Sequence, residues 1–157
     1  MFQKQPWLQK SLKDWQLTGT TQVASGRPLT ATVQGNVANL GGAGVAGTVR
    51  ADATGLPIDA GSGYFNPAAF VVPAAGFFGN AGRGTIPGPG TFTMNLQLAR
   101  QIQLGERKSV EFNVSTTNLL NHVNISGFGT VVNSLNYGLA TGAGGMRTIQ
   151  ATIRFRM

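Results

Sequence analysis

From Thr91 to Leu104 the chain alternates without a break. Phe92, Met94, Leu96, Leu98, Arg100, Ile102 and Leu104 fall on one side. Thr91, Thr93, Asn95, Gln97, Ala99, Gln101 and Gln103 fall on the other. A period of two is the repeat of a β-strand, whose successive side chains point to opposite faces. Length constrains the fold further. Globular strands run to about 5–6 residues, whereas a strand that crosses a bilayer needs about 9–11. A long strand with an apolar face and a Gln-, Asn- and Thr-rich face suits a wall between lipid and a wet lumen.

The same pattern recurs. Trp15, Leu17, Gly19, Thr21 and Val23 alternate with Gln16, Thr18, Thr20 and Gln22. Ser25-Gly26-Arg27-Pro28 interrupts this strand as a kink or bulge, and Leu29, Ala31 and Val33 resume its apolar parity. Val110, Phe112 and Val114 oppose Ser109, Glu111, Asn113 and Ser115 in sense. At the end, Ile149, Ala151, Ile153, Phe155 and Met157 alternate with Thr148, Gln150, Thr152, Arg154 and Arg156. The spacing predicts antiparallel strands near residues 14–24, 91–104, 107–119 and 145–156. Residues paired across a hairpin share a face, so parity fixes one register. A three-residue Gly105-Glu106-Arg107 loop pairs Leu104 with Lys108, Ile102 with Val110, Arg100 with Phe112 and Leu98 with Val114. It also sets Glu111 opposite Gln101. Phe92, Leu96, Leu98, Val110, Phe112, Val114, Ile149, Ile153 and Phe155 should then form one apolar face.

Between the strands the periodicity dissolves. Residues 1–12 read as a lead-in, 35–90 as a long Gly-, Ala-, Asn- and Pro-rich loop, and 121–144 as a second long loop. Connections thus alternate long, short, long, as in outer-membrane barrels, where the short turns are periplasmic. The expected fold is all-β: an antiparallel, long-stranded sheet forming the terminal strands of a partial outer-membrane β-barrel. The 157 residues would be one segment of it.

Composition agrees. Only 11% of residues are charged, against about 25% in soluble domains. There are 23 glycines and no cysteine, which removes disulfides and thiolate metal sites. The net charge of +7 is scattered, with no stacking aromatics interleaved among cations, so no nucleic-acid surface is expected. Met1 to Leu12 lacks the apolar core of a secretory signal. The longest apolar run, Ala68 to Phe78, is broken by Pro73 and Gly76 and is too short for a transmembrane helix. Residence in the cell outer membrane would place the export signal upstream.

Catalytic patterns are weak. Gly42-Ala43-Gly44-Val45-Ala46-Gly47 fits G-x-G-x-x-G, but no strand precedes it, no helix follows it, and Asp59 comes too early for a ribose acid. Gly79 to Thr85 lacks the lysine of a phosphate loop. His122 is the sole histidine and reads as a loop hydrogen-bonding residue. Asp14, Asp52, Asp59, Glu106 and Glu111 form no evident acid–base pair. Ser25, Ser62 and Ser115 lack a nucleophile-elbow context. The expectation is a chain with no catalytic, cofactor-binding or metal residues, and no enzyme. Trp15 and Phe155 read as bilayer-edge anchors or as ordinary β packing. Arg100 reads as a snorkelling side chain or as an exposed arginine.

Several segments carry a family resemblance. Tyr64-Phe65-Asn66-Pro67-Ala68-Ala69-Phe70, Phe78-Gly79-Asn80-Ala81-Gly82-Arg83-Gly84 and Gly88-Pro89-Gly90 before a long strand resemble the C-terminal part of TonB-dependent receptors. The Oar-like type, with a carboxypeptidase-regulatory-like domain, is the nearest group. Asn118-Leu119-Leu120-Asn121-His122-Val123-Asn124 is similar to that group's Asn-x-x-Asn-His-x-Asn segment. Trp15-Gln16-Leu17-Thr18-Gly19 and Ser25-Gly26-Arg27-Pro28 match its preceding strand. The resemblance implies a receptor with a signal peptide, a plug and a barrel of about 22 strands that imports large nutrients. This chain would supply barrel closure and extracellular loops. Its partners would be the rest of the barrel and plug, outer-membrane lipid and the barrel-assembly machinery, with TonB contacted only through an N-terminal part outside this chain. Met157 stands last where such receptors finish on an aromatic residue. The competing expectation is a soluble or secreted all-β binding or adhesion module with Gly/Asn-rich ligand loops.

Overall fold

A computed structural model of the chain describes residues 13–39, 49–59 and 64–157. The lead-in 1–12 and the Gly42–Gly47 motif lie outside them. The strands are β1 (Trp15–Ala24), β2 (Thr32–Val33), β3 (Val49–Arg50), β4 (Asp52–Ala53), β5 (Phe70–Val71), β6 (Thr91–Gln103), β7 (Ser109–Thr117), β8 (Ile125–Phe128), β9 (Ala140–Ala143) and β10 (Thr148–Arg156). One 3-10 turn, Pro67–Ala69, is the only helical element among the described residues. No helix there is long and apolar enough to cross a membrane. The chain divides into two compact units.

The first unit is a four-stranded sheet in the order β1-β6-β7-β10. Its strands are the predicted ones, with ends displaced by a few residues at most. β6 pairs antiparallel with β7, matching Ile102 to Val110, Arg100 to Phe112, Leu98 to Val114 and Gln101 to Glu111. Leu104 N–H donates to the Lys108 carbonyl at 2.8 Å, closing the Gly105-Glu106-Arg107 turn. The parity argument therefore gives the observed register. β10 pairs antiparallel with β7, setting Ile153 against Phe112, Phe155 against Val110 and Arg154 against Glu111. On β1, Gly19 lies beside the Leu96 side chain and Trp15 beside Arg100. Residue numbers rise along β1 as they fall along β6, so this pair is antiparallel as well. β1 and β10 are the sheet's two edges, and both are exposed along their whole length.

The second unit holds residues 23–91 and 123–144. Here the structure departs from the expectation of pattern-free loops. Ala31, Val33, Ala51, Phe65, Ala69, Phe70, Ala81, Ile86 and Phe128 form a buried core. Three two-stranded sheets, β2-β3, β4-β5 and β8-β9, frame it. The two inserted segments are joined by backbone bonds: Thr32 N–H donates to the Thr130 carbonyl at 2.9 Å, and Val132 N–H to the Thr32 carbonyl at 2.8 Å. Gln34 and Asn133 add a reciprocal pair, at 2.9 and 2.8 Å. None of these short strands reaches bilayer-crossing length.

Leu29, Ala31 and Val33 do not continue β1, contrary to their parity. Leu29 exchanges backbone bonds with Ile86 at 2.8 and 3.0 Å, while Ala31 and Val33 are fully buried in the second core. The cause is the crossing of Ser25-Gly26-Arg27-Pro28 over Gly88-Pro89-Gly90. A side-chain carbon on Gly26 would fall on the Gly88 carbonyl, and one on Gly88 would fall on the Arg27 carbonyl. Only glycine permits so close an approach.

Candidate functional site: the two faces of the strand wall

The sheet has one apolar face. Its cross-strand rows read Ile102, Val110 and Phe155; Arg100, Phe112 and Ile153; Leu98, Val114 and Ala151; and Leu96, Thr116 and Ile149. Phe155 is 72% exposed, Ile149 63% and Leu17 66%, and no layer of the first unit covers them. Three large side chains laid bare on one face of a sheet are costly in water, at about 25 cal/mol per Å², and at home in lipid. Phe155 is thus an exposed face residue rather than a packed one.

Trp15 and Arg100, read separately from the sequence, meet on this face. The guanidinium carbon lies 5.2 Å from the centroid of the Trp15 ring, a cation–π arrangement. Arg100 is half-buried.

The opposite face is polar. Rows of Gln103, Ser109 and Arg156; Gln101, Glu111 and Arg154; Ala99, Asn113 and Thr152; and Gln97, Ser115 and Gln150 cross it. Glu111 Oε2 sits 3.5 Å from both Arg154 Nη1 and Arg156 Nη2. One carboxylate thus serves two cations at long distance. Because the pairs are exposed, they contribute little stability; they set the local charge of the face. A groove of about 640 Å³ follows this end of the wall. β6 residues 99–103 form its floor, and Asp14, Gln16 and Glu111 flank it. A second groove of about 300 Å³ is lined by Gln97, Asn113, Ser115, Gln150, Thr152 and Arg154, with Glu111 shared. Amide side chains line both grooves, hydroxyls are added in the second, and charged side chains stand in each, Asp14, Arg100 and Glu111 in the first and Glu111 and Arg154 in the second.

The Asn118–Asn124 segment is where the sequence reading missed the most. Asn118 is 2% exposed. Its Oδ1 accepts from His122 N–H at 3.0 Å. Its Nδ2 donates to the carbonyls of His122 at 2.9 Å and Gly145 at 3.1 Å. Asn121 Oδ1 accepts from Arg147 N–H at 3.0 Å. The two asparagines clasp the end of β7 to the approach of β10. Both adopt left-handed backbone, with φ of 51° and 52°, a region asparagine enters more readily than most residues. His122 is hydrogen-bonded through its backbone, and its ring packs edge-on against Phe92 at 6.0 Å. The sequence signal was present: two asparagines three apart directly after a strand.

The remaining motifs serve the second unit's core. Asn66 caps the 3-10 turn, accepting from Ala68 N–H at 3.1 Å and donating to the Pro57 carbonyl at 3.0 Å. Its flanking Phe65, Ala69 and Phe70 are buried. Asn80 Oδ1 accepts from Ala53 N–H at 2.8 Å, and Asp52 Oδ1 accepts from Asn80 N–H at 2.9 Å. The Asp52 carboxylate is thereby engaged as the acceptor of a backbone N–H. Tyr137 donates its hydroxyl to the Pro67 carbonyl at 3.0 Å and stacks edge-on with Phe65 at 5.7 Å. Burial pushes its phenol above the ordinary value. No group of three His, Cys, Asp or Glu that could hold a metal is found among the described residues.

Comparison with known families and proteins adds the context. Searches of curated proteins and of solved structures find no match. The family described as outer membrane beta barrel domain matches residues 1–150. Its match sets aside the soluble-module expectation and agrees with an all-β antiparallel sheet bare on one face and polar on the other. The chain belongs to the outer membrane beta barrel domain family and resides in the outer membrane.

Proposed function

We propose that this chain is part of a TonB-dependent receptor of the Oar-like type, contributing strands to barrel closure and loops to the extracellular mouth for nutrient uptake. The observation that carries this reading is the pair of open edges. β1 and β10 each present a row of backbone donors and acceptors along their exposed length. In hydrocarbon each unpaired group costs several kcal/mol, so an open sheet cannot stand in a bilayer. Outer-membrane barrels need at least about eight strands, and the sheet has four. Further strands are therefore required on both sides.

The receptor motifs supply the identity of those strands. Tyr64–Phe70, Phe78–Gly84 and Asn118–Asn124 resemble receptor segments, and each has a structural task here. Other proposed partners are a plug against the polar face, lipid against the apolar face and the barrel-assembly machinery. TonB would act through the plug-bearing part. The chain itself performs no catalysis in this reading.

The test is immunodetection in outer-membrane fractions with antibody raised to residues 64–90. A receptor gives a polypeptide several times longer than 157 residues, and its disruption abolishes a TonB-dependent uptake. A band no longer than this chain, or uptake that persists without TonB, overturns the proposal.

A further inference from the structure

The second groove on the polar face owes its shape to side-chain length. Its floor is short: Asn113 faces Thr152 across β7 and β10, and Ser115 stands one row farther from the turn. Ala99 lies opposite Asn113 on β6 and keeps the third strand low. The two ends are long. Gln97 and Gln150 flank Ser115 in one row, and Glu111 with Arg154 makes the row at the other end. Residues on one face repeat every second position, so these end rows stand about 13 Å apart along the strands. The space between them is about 300 Å³.

Five of the lining side chains are neutral amides or hydroxyls. Asn113 and Ser115 are half-buried, and Gln97, Gln150 and Thr152 are exposed. Among the described residues, none of the five spends its amide or hydroxyl on another group of the chain. Each amide offers two N–H donors and a carbonyl acceptor, and each hydroxyl both donates and accepts. A ligand that donates and accepts at closely spaced points, as vicinal hydroxyls do, matches this set. An aromatic ligand finds no ring to stack on, because none lines the groove. An anion meets a single guanidinium, and Arg154 is already shared with Glu111 at 3.5 Å. The carboxylate beside it opposes a second negative charge.

We propose that this groove binds a neutral oligosaccharide, through the floor of Asn113, Ser115 and Thr152 and the amides of Gln97 and Gln150. Glu111 borders the first groove as well, so a sugar chain can continue along the wall. Passage of the sugar through the barrel rests on the receptor reading; binding to the wall does not.

The test is calorimetric titration of the intact protein, purified from outer membranes in mild detergent, with neutral hexasaccharides of glucose, mannose, galactose and xylose. At least one should bind, with an affinity insensitive to salt, since no ion pair forms. Asn113→Leu should weaken that binding about 10-fold and Thr152→Val about 3- to 10-fold, the scale of the hydrogen bonds removed. Thr20→Val, on β1 and outside the groove, should bind as the wild type does. Thr152 lies on an edge strand and keeps the test available if Asn113→Leu is not recovered folded. Binding of none of the four sugars, or undiminished affinity in Thr152→Val, overturns the proposal. A hexagalacturonate that binds more tightly than the neutral sugars, and is lost in Arg154→Gln, would assign the groove to anions and overturn it as well. Sugar binding in a protein whose uptake persists without TonB would sink the receptor reading and leave the groove's ligand standing. TonB-dependent uptake without sugar binding would do the reverse.

Discussion

The sheet and the inserted unit solve opposite problems with similar residues. In the sheet, large apolar side chains such as Ile149, Ile153 and Phe155 lie exposed, and the surrounding membrane must cover them. In the inserted unit, small residues are buried: Ala31, Ala51 and Ala81 have no exposed surface, and Ala69 has 2%. There the backbone approaches itself closely enough that alanine fills the space. Stability in the first region depends on the solvent. In the second it depends on internal packing, as in a water-soluble domain. An outer-membrane protein needs both, since its inserted segments meet water while its strands meet lipid.

The largest expected effect breaks the packed region alone. Phe70 is 3% exposed in a core it shares with Phe65, Ile86, Phe128 and four alanines, so Phe70→Ala leaves a cavity in packed surroundings. The expected loss is about 3–5 kcal/mol, confined to residues 23–91 and 123–144. Limited proteolysis should show new cleavage in those segments while the sheet resists. Cleavage spread equally over both regions would erase the distinction between them.

The next contrast sharpens the sheet. Leu98→Arg puts a charge on the apolar face, in the row of Val114 and Ala151. Near the bilayer midplane it should cost about 2–4 kcal/mol. Gln97→Arg, one residue away on the polar face, should cost within about 0.5 kcal/mol of nothing. Denaturant titration of the barrel in lipid vesicles measures both. Equal costs would refute the assignment of the faces.

How far each region is legible in the sequence follows from the same contrast. In the sheet every side chain's surroundings alternate with the next, so Phe92 to Leu104 record the two faces directly. Parity alone then set Arg100 opposite Phe112. Gly26 reads as a kink or bulge within a strand and Gly88 as loop punctuation, and only their crossing reveals that β1 ends there. The inserted core is assembled from residues far apart, as in Leu29 with Ile86 or Thr32 with Thr130. Its alanines carry no period, and no local pattern records them. For the candidate site, parity placed Glu111, Arg154 and Arg156 on the polar face, but only the pairing of β7 with β10 brings both guanidiniums to one carboxylate. Trp15 and Arg100 were each legible as boundary residues. Their contact depends on the pairing of β1 with β6, for which no short turn supplies a register.

Within the sheet unit, at the end of β7, the expected effect is smaller. Asn118→Ala removes the part-buried hydrogen bonds to His122 and Gly145, a cost of about 1–3 kcal/mol. Asn118→Gly relieves the left-handed φ of 51° but restores none of those bonds, so it should recover only part of the loss. Hydrogen exchange over residues 119–122 and 145–147 should quicken in both variants. Unchanged exchange in Asn118→Ala would show that the clasp is incidental.

The smallest effect is a pH dependence confined to the packed region. Burial raises the phenol of Tyr137 above its ordinary value of 10.0, and its hydroxyl proton is held by the Pro67 carbonyl at 3.0 Å. The unfolded chain releases that proton at a lower pH than the folded unit does. Tyr137 therefore contributes stability fully below the unfolded value, and the contribution fades as pH rises through the higher folded value. Above about pH 10 the inserted unit should loosen. Phenolate absorbance, followed together with proteolysis of residues 123–144, should show the two changes in step. Tyr137→Phe should flatten the dependence, since it keeps the ring against Phe65 and removes the titrating proton. Loosening that persists unchanged in that variant would place the alkaline sensitivity elsewhere.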